Sequence, residues 1–421
     1  MHKVLVCVLF FFLISALFVT TFSSVSSSEL LEDTWNTKTP MKYPRSGLGV
    51  VAVDGKIYAM GGIDGIVTNA NDYFYSNIMD SVVAAVECYD PASDSWVTLE
   101  PMPTPRVGFA IAAYQGKIYC IGGQTSDYVL DLERTVSVTC NVVEVYDTVT
   151  NSWSVKAAMP FYGSGLVGHV LDGKIFVRDK HELYMYDPVA DIWAAKTSMS
   201  TFTPLNCVST VIDGKIMTCA TFMDFPPNTE LRVLIYDPKT DVWHDGTWPP
   251  FEAVGMDAAV ATMGIFAPKN VYFLGIGGIS TLESTLENTK VYDPLKNIWW
   301  STDKTIPTGR TNFGVAVVDD ILYVVGGTFV GPEGPYYTED TWRASAVNEQ
   351  YVPFGYSSIL VPEQSNTTIE QSNLPVEPSG SFLTETVIAV IILTAGIVAT
   401  GLFFYFKKVH KKDGKWVEKS V

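Results

Sequence analysis

Short apolar runs alternate with turn residues along most of the chain, at the spacing of β-hairpins. The run GLGVVAV, for example, is followed by Asp54-Gly55 and then by a second apolar run, KIYAMGG. Glycine accepts the positive φ angle that a two-residue turn needs, so this arrangement predicts a tight hairpin. Comparable hairpin phrases recur along the chain, namely VDGKIYAMGG, YQGKIYCIGG, LDGKIFVRD, IDGKIMTCA, APKNVYFLGIGG and VDDILYVVGG. The chain is therefore predicted to be built from repeated antiparallel strand pairs.

A Tyr-Asp pair follows five of these hairpins and precedes a Trp by a constant interval. The Tyr and Trp positions are Tyr89 and Trp96, Tyr146 and Trp153, Tyr186 and Trp193, Tyr236 and Trp243, and Tyr292 and Trp299. Each unit thus predicts four strands, with a variable loop between the second and the third. Repeats of roughly 40 to 60 residues with four short strands are typical of propeller blades, because neighbouring blades cover the faces that one small sheet leaves open. We expect the aromatic rings to fill the gaps between blades, and the Asp after each Tyr to cap the turn.

The last unit lacks its outer strand. Its third strand is predicted to end near Tyr351, and no Trp follows. The missing strand is found at the other end of the chain, where LEDTWNTKTPM (31–41) aligns with DSWVTLEPMP and NSWSVKAAMP. We therefore predict a ring of six blades, closed by pairing this N-terminal strand with the last blade, which removes an exposed sheet edge.

The order of double glycine, Tyr and Trp resembles that of the kelch-repeat family over residues 33–353. The resemblance implies an all-β fold, a six-bladed kelch-type β-propeller of four-stranded antiparallel blades, which we assign to residues 29–360. Units three and four depart from the pattern. They carry Val177-Arg178-Asp179 and Cys219-Ala220 in place of the double glycine, so their second strands are less well predicted.

Both ends of the chain carry long apolar runs. Residues 4–22 follow Met-His-Lys, so 1–28 is predicted to be a secretory signal, either cleaved or retained as an anchor. The uncharged stretch 387–406 predicts one C-terminal transmembrane helix within 386–406. Residues 361–385 are polar and contain Pro and Gly, which is typical of a flexible stalk. Asn366 begins an Asn-Thr-Thr acceptor sequence for glycosylation within this stalk.

The distribution of charge orients the chain. Residues 407–421 contain six lysines and two acidic residues, whereas the chain of 421 residues has a net charge of −17. Lysines beside a membrane span stay on the cytoplasmic side. The sequence therefore predicts a single-pass type I protein of the cell membrane, with its propeller outside and its C-terminus in the cytoplasm. An acidic body repels phosphates, so no nucleic-acid partner is expected.

Little in the sequence indicates catalysis or a metal. Five cysteines outside the leader show no CxxC or Cys/His spacing, and we expect no metal or other cofactor. Cys207 and Cys219 flank the predicted hairpin turn at Asp213-Gly214, and whether they are bridged is left open. His169 falls in an inner strand that can face the central channel, and a structural role is favoured for it.

The candidate ligand site lies on the loops of blades six, one and two, which are adjacent once the ring closes. The loops after the second strands are long there, at 328–346, 63–85 and 124–142. They contain the candidate contact residues Tyr73, Tyr75, Tyr128, Tyr336 and Tyr337, since aromatic residues on polar loops suit contacts with protein or sugar.

Three arginines follow the same distribution. Arg45, Arg106 and Arg310 occupy aligned positions in the loops that lead into blades one, two and six. In kelch domains that bind partner peptides, similar arginines line the ligand-facing mouth, so the resemblance implies an anion site. The alternative is that each arginine ties its loop to the carbonyl groups of a neighbouring blade.

Three hypotheses follow for the function. The first is a surface-anchored binding module for a protein or a glycan, in contact with the membrane through the C-terminal helix and of undetermined oligomeric state. The second is a carbohydrate-active enzyme resembling the sialic-acid epimerases or the galactose oxidase-like copper enzymes with kelch propellers. The third is a structural spacer of the cell envelope. Dependence of ligand capture on the loops distinguishes the first from the third, and a metal assay tests for the copper enzyme.

Overall fold

The computed structural model describes only part of the chain, the ranges 30–64, 66–67, 81–129, 134–179, 181–199, 204–223, 229–247, 249, 258–274, 289–302, 304–330 and 342–356. These residues belong to a compact unit, Met1–Pro362, while a second unit, Glu363–Val421, lies wholly outside them. Within the described ranges no helix is long and apolar enough to span a membrane. The predicted signal, stalk, transmembrane helix, cytoplasmic tail and glycosylation site at Asn366 fall outside these ranges and stay predictions.

The regular elements of the described residues are β-strands. In chain order they are β1 (Thr34–Lys38), β2 (Gly49–Val53), β3 (Lys56–Met60), β4 (Ile66–Val67), β5 (Val86–Asp90), β6 (Ser95–Thr98), β7 (Ala110–Tyr114), β8 (Lys117–Ile121), β9 (Gln124–Val129), β10 (Arg134–Thr139), β11 (Val143–Asp147), β12 (Ser152–Lys156), β13 (Val167–Leu171), β14 (Lys174–Arg178), β15 (Leu183–Asp187), β16 (Ile192–Lys196), β17 (Pro204–Ile212), β18 (Lys215–Met223), β19 (Thr229–Asp237), β20 (Val242–Asp245), β21 (Ala258–Ala261), β22 (Val271–Leu274), β23 (Lys290–Asp293), β24 (Ile298–Ser301), β25 (Gly314–Val318), β26 (Ile321–Val325), β27 (Thr328–Val330), β28 (Trp342–Ala344) and β29 (Asn348–Val352).

Six four-stranded antiparallel sheets form the blades of a propeller. Their strand orders are β2-β3-β5-β6, β7-β8-β11-β12, β13-β14-β15-β16, β17-β18-β19-β20, β21-β22-β23-β24 and β25-β26-β29-β1. The first strand of each blade contacts the first strands of both neighbours, from β2 through β7, β13, β17, β21 and β25 and back to β2. The predicted all-β, six-bladed architecture is confirmed.

The ring closes between the N-terminal strand and the last blade. Strand β1 pairs antiparallel with β29, with Trp35 opposite Tyr351. The two ring centroids are 5.0 Å apart. This pair reproduces the Tyr–Trp contact of the other blades, so the sixth aromatic pair joins residues that are distant in sequence. The predicted closure is confirmed.

In blades one to four the Tyr–Trp repeat also fastens each blade to the one before it. In blade one the Tyr89 hydroxyl donates to Asp94 Oδ1 at 2.6 Å, and the same oxygen accepts from the backbone N–H of Thr39 at 2.9 Å. The Trp96 indole N–H donates to the Thr39 carbonyl at 2.8 Å. Because Thr39 follows β1 of blade six, these bonds cross the seam between blades. We call this arrangement the seam clasp.

The departures from the double glycine do not interrupt the second strands of blades three and four. Strand β14 pairs with β13 and β15, and β18 pairs with β17 and β19. In blade three the Asp179 carboxylate accepts from the backbone N–H groups of His181 and Glu182, which caps the short loop that follows β14. Arg178 can therefore end its strand without the glycine turn that follows the second strand in blades one, two and six.

The two cysteines considered for a bridge are both free. Cys207 lies opposite Ala220 and Val208 lies opposite Cys219, so the two sulfur-bearing side chains leave their strands on opposite faces of the sheet. This register excludes a disulfide between them.

Candidate functional site

The insertions of blades six and one form a shared sheet. In blade six β27 and β28 make a hairpin, and β28 then pairs with β4 from the insertion of blade one, with Trp342 opposite Val67 and Arg343 opposite Ile66. The insertion of blade two forms its own hairpin, β9 with β10. We call these five strands together the insertion platform. They leave three consecutive blades after equivalent strands, as the sequence predicted.

The bases of the insertions are held by backbone pairing to the leading loops. Ile63 bridges Ser46 in blade one, Gln124 bridges Val107 in blade two, and Thr328 bridges Thr311 in blade six. The pairing fixes the point at which each insertion leaves the rigid ring.

Tyr128, one of the tyrosines predicted to contact a ligand, lies in β9 opposite Thr135. Its side chain, together with all of Tyr73, Tyr75, Tyr336 and Tyr337, lies outside what the structure describes. Their role as ligand contacts stays a prediction.

The three arginines of the leading loops are buried rather than displayed, with exposed fractions of 0%, 0% and 1% for Arg45, Arg106 and Arg310. The Arg45 Nη2 donates to Glu87 Oε2 at 2.9 Å. Its Nη1 donates to the carbonyl oxygens of Gly61 at 3.0 Å and Ala85 at 2.9 Å. These two residues flank the insertion of blade one, so a single guanidinium group holds the two ends of the insertion together.

Blade two repeats this geometry. Arg106 is paired with Glu144, and its Nη1 donates to the carbonyl oxygens of Gly122 at 3.1 Å and Val142 at 3.0 Å. These carbonyl groups flank the insertion of blade two. The Thr104 hydroxyl donates to the second glutamate oxygen at 2.7 Å.

Blade six has the same kind of Arg–Glu pair, but its arginine binds the carbonyl groups through different nitrogen atoms. Arg310 is paired with Glu349, and it donates from Nε to the Gly326 carbonyl at 2.7 Å and from Nη2 to the Val324 carbonyl at 2.9 Å. The Thr308 hydroxyl donates to Glu349 Oε1 at 2.7 Å. All three guanidinium groups are thus neutralised by a buried carboxylate and bound by carbonyl oxygens, although Arg45 Nε has no hydrogen-bond partner among the described residues.

These contacts favour a structural role for the arginines over the predicted anion site. The carbonyl groups that the side chains bind belong to the same blade, and not to the neighbouring blade as the alternative expected. The link to the neighbour runs through the backbone, since Gly62 N–H donates to the Arg106 carbonyl and Gly327 N–H donates to the Arg45 carbonyl, both at 2.9 Å. An anionic ligand would have to displace a buried glutamate to reach any of the three guanidinium groups.

The glutamate partners of the three arginines can be recognised in the sequence, although the leading loops by themselves do not indicate them. Glu87, Glu144 and Glu349 each stand two residues before the repeated Tyr. The other three blades, whose leading loops lack the arginine, carry Tyr184, Leu234 and Lys290 there. Arginine and glutamate occur together in the same blades, which is the pattern expected of a contacting pair.

The central channel contains a cavity of about 310 Å³ between the inner strands. Most of the residues that line it have apolar side chains, and we call these its apolar wall. Residues of this apolar wall are Leu48, Val50, Phe109, Ile111, Leu166, Val167, Val208, Val260, Phe313 and Val315. Cys207, Ser209 and Thr210 from blade four and His169 from blade three add polar groups on one side. The polar groups therefore occupy one sector, between blades three and four.

His169 reaches across this seam, with Nε2 2.8 Å from Ser209 Oγ. Burial in the channel wall lowers the pKa of His169 to about 3, and the nearby charge of Arg178 lowers it further in the same direction. The imidazole is consequently neutral at physiological pH and carries one N–H. The structure places His169 in β13 at the channel, where the sequence located it.

Arg178 lies behind this sector and differs from the other buried arginines. It is 1% exposed, and its Nη1 donates to the Asp179 carbonyl and to Cys207 Sγ, each at 3.0 Å. Its Nη2 lies 3.4 Å from Ser209 Oγ, and its Nε, like that of Arg45, has no hydrogen-bond partner among the described residues. Within the same ranges no carboxylate forms an ion pair with it. In the sequence, Arg178 stands out only because it lies in the segment that replaces the double glycine of other units.

Clusters of His, Cys, Asp and Glu that suit a metal ion do not occur in the described ranges. Because much of the chain lies outside those ranges, the copper enzyme stays a hypothesis.

Comparison with known proteins agrees with the fold. Residues 44–103 and 105–160 match the Kelch motif. Kelch-like protein 35 of Mus musculus is 28% identical over 44% of this chain and 28% of its own length. Beta-scruin of Limulus polyphemus is 26% identical over 53% of this chain and 24% of its own length. For Kelch-like protein 7 of Rattus norvegicus the values are 29%, 44% and 37%. The matched region thus spans well under half of the length of these curated relatives.

A solved structure, that of YjhT, has a similar fold. It superimposes with a TM-score of 0.55 at 15% sequence identity, and the match covers 73% of this chain and 95% of that one. At this level of identity the similarity concerns the fold alone.

Proposed function

We propose that the chain, which folds as a six-bladed propeller and matches the Kelch motif over residues 44–103 and 105–160, is a binding module whose insertion platform contacts a protein or a glycan. One observation carries this proposal: the insertions of blades six and one are joined in a single three-stranded sheet, β27-β28-β4. Two loops that pair with each other present one surface instead of two independent tips.

The physical argument is preorganisation. A long free loop loses conformational entropy when it binds, and this cost subtracts from affinity. Here the Arg45 guanidinium holds both ends of one insertion and the Arg106 guanidinium holds both ends of the next. The arginines thus contribute to binding by shaping the platform, and we do not propose them as contacts for the ligand.

The hairpin of blade two supplies an accessible part of the platform. Val138 in β10 is 39% exposed, and the side chain of Asp127 in β9 is exposed as well. An exposed valine beside polar side chains suits the centre of a small protein contact or the apolar face of a sugar ring.

We further propose that the protein is anchored in the cell membrane with the platform outside. This proposal rests on the apolar segments 4–22 and 387–406 and on the lysines after the second of them. The carbohydrate-active enzyme and the spacer remain hypotheses, and no contact described above favours either of them.

Crosslinking capture from native membranes tests the platform. Full-length protein would be compared with Val138→Asp, with a variant in which residues 331–341 are replaced by a short Gly-Ser linker, and with Val155→Asp as the matched control. Val155 is 70% exposed on β12, an outer strand of the same blade, so it reports a general effect of an added charge. We expect the wild type and Val155→Asp to capture the same partner, and each platform variant to lose at least about tenfold of it. Equal capture by all four proteins would contradict the proposal.

A further inference from the structure

We propose that the central channel binds a small organic carboxylate with an apolar body, whose carboxylate is recognised by Ser209 and His169 in front of the buried guanidinium group of Arg178. This site is separate from the insertion platform and does not depend on the function proposed for it. The inference rests on three features of the seam between blades three and four.

The first feature is a buried cation without a counter-ion among the described residues. Transferring an unpaired charge from water into a protein interior is costly, and the cost is offset only by a partner of opposite charge or by strong hydrogen bonds. Arg45, Arg106 and Arg310 each have a buried glutamate, whereas Arg178 has a thiol, a hydroxyl and one carbonyl among its described contacts. An anion bound in front of Arg178 would supply the missing charge.

The second feature is a hydrogen-bond donor of His169 or Ser209 that the bond between these two residues does not use. Neutral His169 has one N–H and Ser209 has one O–H, and the 2.8 Å bond between them uses only one of these hydrogens. If the serine donates to Nε2, the Nδ1–H of His169 remains. If the histidine donates from Nε2, the hydroxyl hydrogen of Ser209 remains. In either tautomer this wall of the channel offers one donor, with a positive charge behind it, to an acceptor in the cavity.

The third feature is the contrast with the rest of the wall. The opposite side of the cavity, at blades six and one, is formed by apolar side chains that include Phe313, Val315 and Val50. A volume of about 310 Å³ lies at the lower end of the range for small-molecule sites, roughly 300 to 1,000 Å³. A ligand that matches both surfaces is amphipathic, with an anionic end at Ser209 and an apolar body toward blades six and one.

The chemistry of recognition is non-covalent. The carboxylate accepts the spare hydrogen of Ser209 or His169, and the guanidinium group stabilises its charge through Ser209, whose oxygen already faces Arg178 Nη2. A neutral alcohol with the same apolar body lacks the charge and gains less from this arrangement.

Isothermal titration calorimetry with sodium hexanoate on the purified full-length chain tests the site. Hexan-1-ol and inorganic phosphate serve as probes for the apolar body alone and for the charge alone. The variants are Arg178→Met, which keeps the length of the side chain without its charge, and Ser209→Ala. Arg106→Met is the matched control, because Arg106 is equally buried but lies outside the channel and has its own glutamate.

We expect hexanoate to bind the wild type at least about tenfold more tightly than hexanol or phosphate, and to bind Arg178→Met and Ser209→Ala at least about tenfold more weakly. The two arginine variants should also differ in thermal stability. Arg178→Met should unfold at the same or a higher temperature, because it removes a buried charge that has no counter-ion among the described residues, whereas Arg106→Met should unfold at a lower one. Unchanged hexanoate affinity in Arg178→Met would overturn the proposal. So would phosphate binding as tightly as hexanoate, or a loss of stability in Arg178→Met as large as in Arg106→Met.

Discussion

At the scale of single residues, an Asp or Asn stands two positions before each repeated Trp, and in blades one to five it also binds the preceding blade. These residues are Asp33, Asp94, Asn151, Asp191, Asp241 and Asn297, all with φ between 47° and 56°. Each accepts a hydrogen bond from the Tyr hydroxyl of its blade. Asp and Asn tolerate this left-handed conformation better than most residues. The residue type therefore meets two requirements: it adopts the left-handed turn conformation, and it supplies a hydrogen-bond acceptor near the seam between blades.

Substitution of Asp94 by Ala should destabilise the protein much more than substitution by Asn. Alanine loses the acceptor for Tyr89 and for the Thr39 N–H and is strained at a φ of 47°, so we expect a loss of about 2 to 4 kcal/mol in the free energy of unfolding. Asn keeps an oxygen in the same place, as Asn151 does in blade two. Urea unfolding of both variants is the measurement, with a loss below about 1 kcal/mol expected for Asp94→Asn. Equal losses would show that the charge of Asp94, and not its oxygen, is what the seam requires.

At the scale of a structural element, the buried Arg–Glu pair makes the leading loop, the second strand and the third strand of a blade one unit. In blade two Arg106 comes from the leading loop, Gly122 follows β8, and Glu144 lies in β11. The pair thus fixes where the insertion leaves the blade. A buried ion pair is not in itself a large net source of stability, but removal of one partner leaves the other charged and desolvated.

Arg106→Met should therefore lower the free energy of unfolding by about 3 to 5 kcal/mol. The double variant Arg106→Met with Glu144→Leu should recover most of that loss, because it removes both charges and keeps apolar side chains of similar size. Chemical denaturation of the two single variants and the double variant gives the coupling energy directly. A double variant that is as unstable as the sum of the single variants would mean that the two groups do not act as a pair.

At the scale of the whole molecule, the ring depends on a strand that is separated from its blade by almost the whole propeller. The main-chain pairing of β1 with β29 covers an edge that would otherwise be free. It also covers Tyr351, which is 1% exposed and whose hydroxyl donates to Asp33 Oδ1 at 2.7 Å. The last seam closes only when both ends of the propeller have folded.

Deletion of residues 31–41 should consequently produce a protein that aggregates or unfolds at a clearly lower temperature. The synthetic peptide LEDTWNTKTPM, which is this segment, should restore the stability when it is added in excess, by pairing with β29 as β1 does. A peptide with Ser in place of the Trp35 equivalent should be a weaker substitute, because it lacks the ring that packs 5.0 Å from Tyr351. Size-exclusion chromatography and thermal unfolding measure both effects. A deletion variant with the stability of the full chain would contradict closure by β1.

The sequence by itself determined the features that depend on local geometry. Hairpin turns such as Asp54-Gly55 and the Asp or Asn before each Trp demand particular φ angles, and alternating apolar strands demand two covered faces, so blade count, strand order and ring closure could all be predicted. Tertiary structure decided where polar side chains end up. Arg45 stands in a polar loop, which the sequence predicts to be exposed. Its guanidinium group is nevertheless buried, where it binds Glu87 and the carbonyl groups at the two ends of the insertion. Whether Arg178 meets a carboxylate or Ser209 depends on which strand of blade four faces it, and no local pattern contains that contact. The contacts of Arg45 join parts of one blade that are distant in sequence, and those of Arg178 cross the seam between two blades, so neither set lies within one local run of residues.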